Sequence, residues 1–510
     1  MIKVTRTEMR KSNINISRRK ALSTAGKVVT GVVVSGIVGG IAGYFAGAST
    51  VQAPVERTVT KTERVGTATT TVTQTATTTV RERETVTVTA TAPGGGAVTL
   101  PKLTLAAWTY RPDIVESNLK FFSTYYGYPT ELMVLPTAGY TAQMVANFTG
   151  EKEIDVCYVR DGEFVGWASA GWLVPIEDVA PSDKIKMYRK ELAPGALEAM
   201  TFEGKLYGLP YYGDVMGFLY NHGMLEKVGY TKPPEDWDDV TEICLAVKRQ
   251  LGIETPFWFS GGAADWGITR LWQTMTFSRG GSLFDEDLEP TWEDKASPAY
   301  EAMRWLWDAI NTHGIASVKG FEVTHEQCSE ALAGEPPKGF CEVVHSYNLF
   351  LLNTPGNFPR SGKENFKQCL MPGKTHQTVS YCRLYGITKM AKKRGKDVLN
   401  GAWELVEFLG GKDKVGEYRV MKRWILESGL GFVQLPLYED PVIKANLKLW
   451  VDPELKLQQL KLSRRESGLG QPGYAEWLQY TTSELQAAML KQKSLDEALK
   501  NSANKWRSLK

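Results

Sequence analysis

The chain has 510 residues, of which 23% are charged and 43% hydrophobic, with a formal net charge of +3. That length is too great for one hydrophobic core and predicts two or three domains. The charge is too small, and too concentrated at the N-terminus, to suggest a nucleic-acid partner, and six cysteines are too few for a dense disulfide framework.

Residues 1–27 hold eight Lys or Arg against one Glu, a basic cytoplasmic or signal region. Residues 28–48, "VVTGVVVSGIVGGIAGYFAGA", carry no charge. As a helix they rise about 31 Å, enough to cross a bilayer, with the basic flank inside and everything beyond residue 50 outside. Arg18-Arg19 in "SRRKAL" resembles a twin-arginine export signal, although Ala21 stands where that pattern favours phenylalanine. "AGA" at 46–48 offers a cleavage site. In residues 55–92, sixteen of 38 are Thr, which leaves little apolar surface for a core. Such a tract reads as a disordered, solvated and O-glycosylated stalk, spanning 49–98 with "PGGG" near its end. A stalk needs an anchor to stand on, so residues 28–48 are read as an uncleaved helix in the cytoplasmic membrane. The alternating Thr and Val of the tract leave strand pairing as the other reading.

From residue 99 the pattern becomes globular. "KLTLAAWTY" predicts a strand, "DIVESNLKFFSTYYG" a helix, "TELMVLP" a strand, "TAQMVANFTG" a helix and "EIDVCYV" a strand. Apolar strands alternating with helices predict an α/β fold with a covered parallel sheet. Ligands gather at the carboxyl ends of such strands, which here carry Trp108, Tyr110, Arg111, Arg160 and Asp161. The stretch "YGLPYYGDVMGFLYNHGML" sets Tyr211, Tyr212 and Asp214 before a buried-looking strand. Further on, "PFWFSG" predicts a strand ending at Trp258. A helix carries Trp266 and Trp272, and "GFCEVVHSY" is a strand ending at Tyr347. Tyr381 and Tyr385 sit in and beside "CRLYGITKM". Trp305 and Trp307 have helical spacing and read as core. The C-terminal region is helical, with Ser494 and Glu497 forming a capping box.

Three stretches resemble extracellular solute-binding proteins of ABC importers, in their carbohydrate-binding branch of maltose- and oligosaccharide-binding proteins. They are "DVCYVRDGEFVGWASAGWLVPIEDVA", "YGLPYYGDVMGFLYNHGMLEKVGYTKPPEDWDDV" and "QPGYAEWLQYTTSELQAAMLKQKSLDEALKNSANKW". The resemblance implies a two-lobed periplasmic-binding-protein-like fold of type II, with crossing strands near 212–217, 382–386 and 431–437. Lobe one would be 101–212 plus 386–431, and lobe two 217–382 plus 437–510. It implies a carbohydrate guest, a membrane permease as partner, and no cofactor. The ligand set expected on these grounds is Trp108, Tyr110, Arg111, Arg160, Asp161, Tyr211, Tyr212, Asp214, Trp258, Trp266, Tyr347, Tyr381, Tyr385 and Tyr474. Tyr474 follows "QP" where the family usually has Arg-Pro. For each ring the plain alternative is core packing, and for Asp161 and Asp214 it is a cap or ion pair.

His325, Cys328, Cys341 and His345 mimic a zinc finger with its halves reversed, but Cys328 shares a helix face with Leu332 and Cys341 lies in an apolar strand, so no metal is expected. Disulfides Cys328–Cys341 or Cys369–Cys382 are the competing expectation, since an oxidising compartment permits them; Cys157 and Cys244 read as core. No convergent catalytic set is visible: the five histidines are scattered, "EDWDD" is a helix first turn, and no glycine-rich phosphate loop occurs. The expected function is a non-catalytic receptor for an oligosaccharide. Its alternatives are a binder of the same fold for a peptide or polyol, and a surface-anchored glycosidase or adhesin.

Overall fold

The computed structural model describes residues 50–65, 68–83, 100–137, 139–262, 267–471 and 473–510. It divides into two compact units, Met1–Gly96 and Ala97–Lys510. The expected membrane helix, residues 28–48, lies outside the described residues; among the described residues no helix is long and apolar enough to cross a membrane.

In the first unit the Thr-rich tract is not a disordered coil. Strands β1 (Thr50–Val65) and β2 (Ala68–Arg83) pair antiparallel, from Thr50 opposite Arg83 to Val65 opposite Ala68. Alternating Thr and Val are β-branched residues that favour extended backbone, so the pairing alternative holds over these residues.

The second unit is built on one ten-stranded mixed sheet. Its first strands are β3 (Leu103–Trp108), β4 (Thr130–Leu135) and β5 (Val156–Arg160). β3 pairs parallel with both β4 and β5. All six residues of β3 are buried, as expected of a strand covered on both faces. The short strand β6 (Leu173–Val174) pairs with the sheet, and a separate hairpin of β7 (Thr201–Phe202) and β8 (Lys205–Leu206) precedes β9 (Gly208–Asn221). The remaining strands are β10 (Phe257–Phe259), β11 (Cys341–His345), β12 (Phe366–Cys369), β13 (Thr378–Thr388) and β14 (Ser463–Arg465).

β9 organises this sheet. All 14 of its residues are buried. Its first part, Gly208 to Val215, pairs antiparallel with β13, and its last part, Met216 to Asn221, pairs with β11 and β12. The change of partner falls within the stretch 212–217, where the resemblance implies a crossing. On one side β13 leads through β5 and β3 to β4; on the other β11 leads to β10.

Two glycines let a third segment touch this junction. The Gly213 amide donates to the Gly431 carbonyl. A Cβ on Gly213 would lie 2.5 Å from Val433 Cγ1, and one on Gly431 would lie 2.7 Å from the Gly213 oxygen.

Helices cover the sheet and are capped locally. Asp236 accepts from the Asp238 and Asp239 amides at the start of the helix Trp237–Leu251, and Gly252 ends it in the left-handed region. The C-terminal helices Tyr474–Met489 and Leu495–Leu509 bury Trp477 and Trp506 against Phe284, with Trp272 and Trp292 in the same core. Much of the tryptophan content therefore serves packing. Trp305 is packed too, its indole N–H donating to the Trp237 carbonyl.

Neither expected disulfide forms. β12 and β13 both pair with β9 rather than with each other, which sets Cys369 opposite Phe218 and Cys382 opposite Gly213. Cys328 lies on the helix His325–Ala333, and Cys341 Sγ is instead 3.6 Å from Cys244 Sγ. All six cysteines are buried thiols.

Candidate functional site

Parallel strands β3 and β5 end at the same edge as the middle of β9 and β13, and each contributes a ring. Trp108 closes β3, Tyr158 lies in β5, Tyr211 in β9 and Tyr385 in β13. Tyr158 and Tyr211 stack with centroids 4.3 Å apart. Trp108 meets them edge-on at 4.7 and 5.6 Å, and Tyr385 meets Tyr211 at 5.6 Å. Trp424, from the helix Arg419–Ser428, adds an edge contact to Tyr211 at 5.5 Å. Tyr110 stacks on the outer side of Trp424 and is 43% exposed, which makes it the rim of the cluster. The buried Tyr158 hydroxyl and Trp424 indole nitrogen have no well-formed hydrogen bond among the described residues.

A second group of rings lies across the partner change of β9. Tyr212 donates to the Tyr381 hydroxyl at 3.3 Å. Tyr381 faces His345 at 4.4 Å, and His345 stacks on His325 at 3.8 Å. Burial, then His325, Arg270 and Arg383, push the His345 pKa well below the usual imidazole value, so its ring is neutral. Two histidines of the zinc-like pattern thus stack on each other, and among the described residues no group of three or more His, Cys, Asp or Glu is placed to hold a metal. Beneath them Glu342 accepts from the Ser329 hydroxyl at 2.8 Å, and burial pushes its pKa up to about 8. The Arg383 guanidinium joins the two ring groups, 5.5 Å from the Trp108 ring and 5.6 Å from Tyr212.

Charged side chains fill the remaining side. Arg270, on the helix Gly267–Ser278, lies over Tyr381 and is 2.7 Å from Glu466, both side chains being buried. Burial alone would lower the Arg270 pKa, but Glu466 and then Asp161 outweigh it and the net shift is upward. Glu466 also accepts from the Tyr474 hydroxyl, which accepts in turn from Gln273. Asp161 accepts from the Gly162 and Cys382 amides.

The expected residues thus separate. Trp108, Tyr211, Tyr212, Tyr381 and Tyr385 come together, with Tyr110 at the rim and Asp161 and Tyr474 on the polar side. Arg160 is paired with Glu163 and Arg111 with Asp113. Trp258, on β10, donates to the Lys338 carbonyl, whereas Tyr347 donates to Glu326 and its ring meets His345 of the second ring group at 5.6 Å. Trp266 lies outside the described residues. Asp214 is fully engaged by protein. It takes hydrogen bonds from Ser346 Oγ (2.6 Å) and the Tyr347 amide (2.9 Å) and lies 3.0 Å from the buried Lys456 ammonium. Two open cavities, of about 650 and 660 Å³, lie elsewhere, lined by Lys184, Glu404 and Lys412 in one and Tyr300, Arg304 and Trp307 in the other. Neither holds a ring of the junction, where Tyr211, Tyr212, Tyr381 and Tyr385 are each under a tenth exposed.

Residues 109–323 match the family of bacterial extracellular solute-binding proteins. That match covers less than half of the chain. Over 109 residues the chain is 32% identical to an uncharacterized ABC transporter extracellular-binding protein of Pyrococcus horikoshii, across 21% of this chain and 26% of the relative. Over 144 residues it is 26% identical to a mannitol-binding protein of Pseudomonas aeruginosa, across 27% and 31% respectively. The chain therefore spans under a third of the length of these curated relatives. The structure of the maltose-bound T. maritima protein MalE3 superposes with a TM-score of 0.65 at 20% identity, over 80% of this chain and 100% of that one. That likeness establishes a mixed α/β, two-lobed fold of the periplasmic-binding-protein kind for this chain.

Sequence reasoning missed Tyr158, Arg270, Arg383, Trp424 and Arg465. Arg270 had a usable signal: in "WGITRLWQTM" it is a lone charge inside an otherwise apolar helix face, which calls for a buried partner.

Proposed function

We propose that this chain is a non-catalytic receptor that captures a carbohydrate outside the cell and hands it to the permease of an ABC transporter. The observation that carries the reading is the ring cluster of Trp108, Tyr158, Tyr211 and Tyr385 on four neighbouring strands beside Arg270, Arg383 and Asp161. Sugar rings present C–H faces that pack on aromatic faces, and hydroxyl edges that need charged or amide partners in a dry cleft. The maltose in the T. maritima structure and the mannitol of the Pseudomonas relative support a polyhydroxylated guest. The latter keeps an acyclic polyol as a second reading.

In this proposal lobe one comprises 101–212 with 386–431, lobe two 217–382 with 437–510, and the hinge runs through β9 where its partners change. Because the junction rings are buried, the guest reaches them only when the lobes part. Residues 28–48 hold the protein at the outer face of the cytoplasmic membrane and 49–98 space the binding unit from it.

Titration of the purified chain with maltotriose, other neutral oligosaccharides and mannitol, followed by tryptophan fluorescence and by chromatography of the recovered glycan, tests this. Saturable quenching with the glycan returned intact is expected. Shortened products, or no response to any sugar or polyol, would overturn it.

A further inference from the structure

The charges at the ring junction do not cancel. Arg160 is held by Glu163 and Lys456 by Asp214, so neither is available. Arg270 is ion-paired with Glu466. Asp161 sits within electrostatic reach of Arg270 and Arg465, where it opposes the second of those guanidinium groups. Two carboxylates, Asp161 and Glu466, thus face two guanidinium groups. Glu198, exposed and screened by solvent, accepts from the Arg465 backbone amide and adds a third, weaker electrostatic pull on that guanidinium after Asp161 and Glu466.

Arg383 is left over. Its guanidinium is flanked by Trp108 and Tyr212, and among the described residues no carboxylate or carbonyl accepts a hydrogen bond from it. The same junction leaves Arg465 Nε buried without an acceptor. A guanidinium has five N–H donors in a fixed fork shaped for a planar anion. Arg383 is half-buried, so its donors stay open to water until a guest with acceptors displaces it. The neutral state of His345 fits the same positive field, since a further cation there would face Arg270 and Arg383. No comparable surplus of carboxylate exists in this group to meet a cationic guest.

We infer that the guest is an acidic oligosaccharide, whose carboxylate or sulfate is received by Arg383 between Trp108 and Tyr212. This rests on the carbohydrate reading above and narrows it. A charge-assisted, two-pronged contact is roughly twice as strong as one to a neutral hydroxyl. The acidic sugar should therefore bind about tenfold or more tightly than a neutral sugar of the same skeleton, and high salt should narrow the gap.

The test uses the full chain, purified in detergent, and matched trisaccharides titrated by calorimetry. Trigalacturonate and trimannuronate are each compared with their carboxyl-reduced forms, and sulfated galactotriose with galactotriose, which separates the two anion types. Maltotriose and mannitol are the neutral references. The expected result is an acidic member that exceeds its neutral partner by about tenfold, with Arg383→Met bringing the two together. If Arg383→Met does not fold, the wild-type pairs decide alone. Equal or tighter binding of the neutral members overturns the inference, as does discrimination that survives in folded Arg383→Met. Binding of maltotriose or mannitol with none of the acids also overturns it while leaving the carbohydrate reading standing. Silence from every sugar and from mannitol removes both.

Discussion

Replacing Lys456 with methionine tests the buried ion pair that it forms with Asp214 on β9. Both side chains of the Asp214–Lys456 pair are 3% exposed, with Nζ 3.0 Å from Oδ1. At an effective dielectric of about 20, two unit charges at that distance attract by about 5 kcal/mol. Methionine keeps most of the lysine stem, so packing changes little and the charge is what is lost. Asp214 would then rely on Ser346 Oγ and the Tyr347 amide. Hydrogen bonds to a charged group contribute about 1.5–3 kcal/mol each, but both already exist and cannot replace the ammonium. The expected cost is therefore about 3–5 kcal/mol, as for other buried pairs stripped of one member. Asp214→Asn should cost a similar amount for the mirror-image reason, and the double variant should recover a large part of it, because no isolated charge remains. Urea titrations followed by tryptophan fluorescence read this as a fall in midpoint at constant slope. A single-variant loss under about 1 kcal/mol, or a double variant equal to the sum of the singles, would show that the pair is not coupled as described.

Three further outcomes rest on the same geometry. Gly213→Ala should cost about 1–3 kcal/mol, since its Cβ would press on Val433; Gly166→Ala, with nothing within 4 Å, should be neutral or stabilising, and equal melting points for the two would refute the close approach. Glu342, with its pKa near 8 in the fold, is protonated there while the unfolded chain ionises it near the ordinary glutamate value. Its contribution is fully present below about pH 4.5 and is lost as pH rises toward 8, at up to about 1.4 kcal/mol per pH unit. Glu342→Gln should therefore gain on wild type steadily across that window in thermal melts, and parallel curves would sink the assignment. Alkylation in denaturant without reductant should label all six cysteines and native alkylation none, because each is a buried thiol; a mass two protons short would contradict this.

The order of strands and helices from residue 103 onward was legible because its signals are local. Ser494 marks a helix start by residue type and does cap it, whereas Asp236, expected within a first turn, is itself the cap. Trp108 could be proposed because it stands at a strand end, and Tyr211 and Tyr385 because the resemblance puts crossings beside them. Arg383 could not, because its surroundings come from β3 and β9, far away in the chain. The cysteines show the same limit: Cys341 has its sulfur neighbour 97 residues away in Cys244, not in the nearer Cys328. Asp214 was read as a candidate for the guest because it comes after two tyrosines. Its engagement depends on Lys456, on a helix that nothing in the local sequence ties to β9. The strand pairing of the Thr-rich tract was visible only as an alternative, since composition argues for solvation and alternation argues for pairing.

The uninterrupted course of β9 has a practical corollary. One ribbon of backbone lends its edges to both sides of the molecule, so neither side can be excised as a module without baring a severed row of amides and carbonyls. Attempts to graft half of this fold onto a related scaffold should fail at that seam, whereas exchanging side chains around Tyr110 and Trp424 leaves it whole.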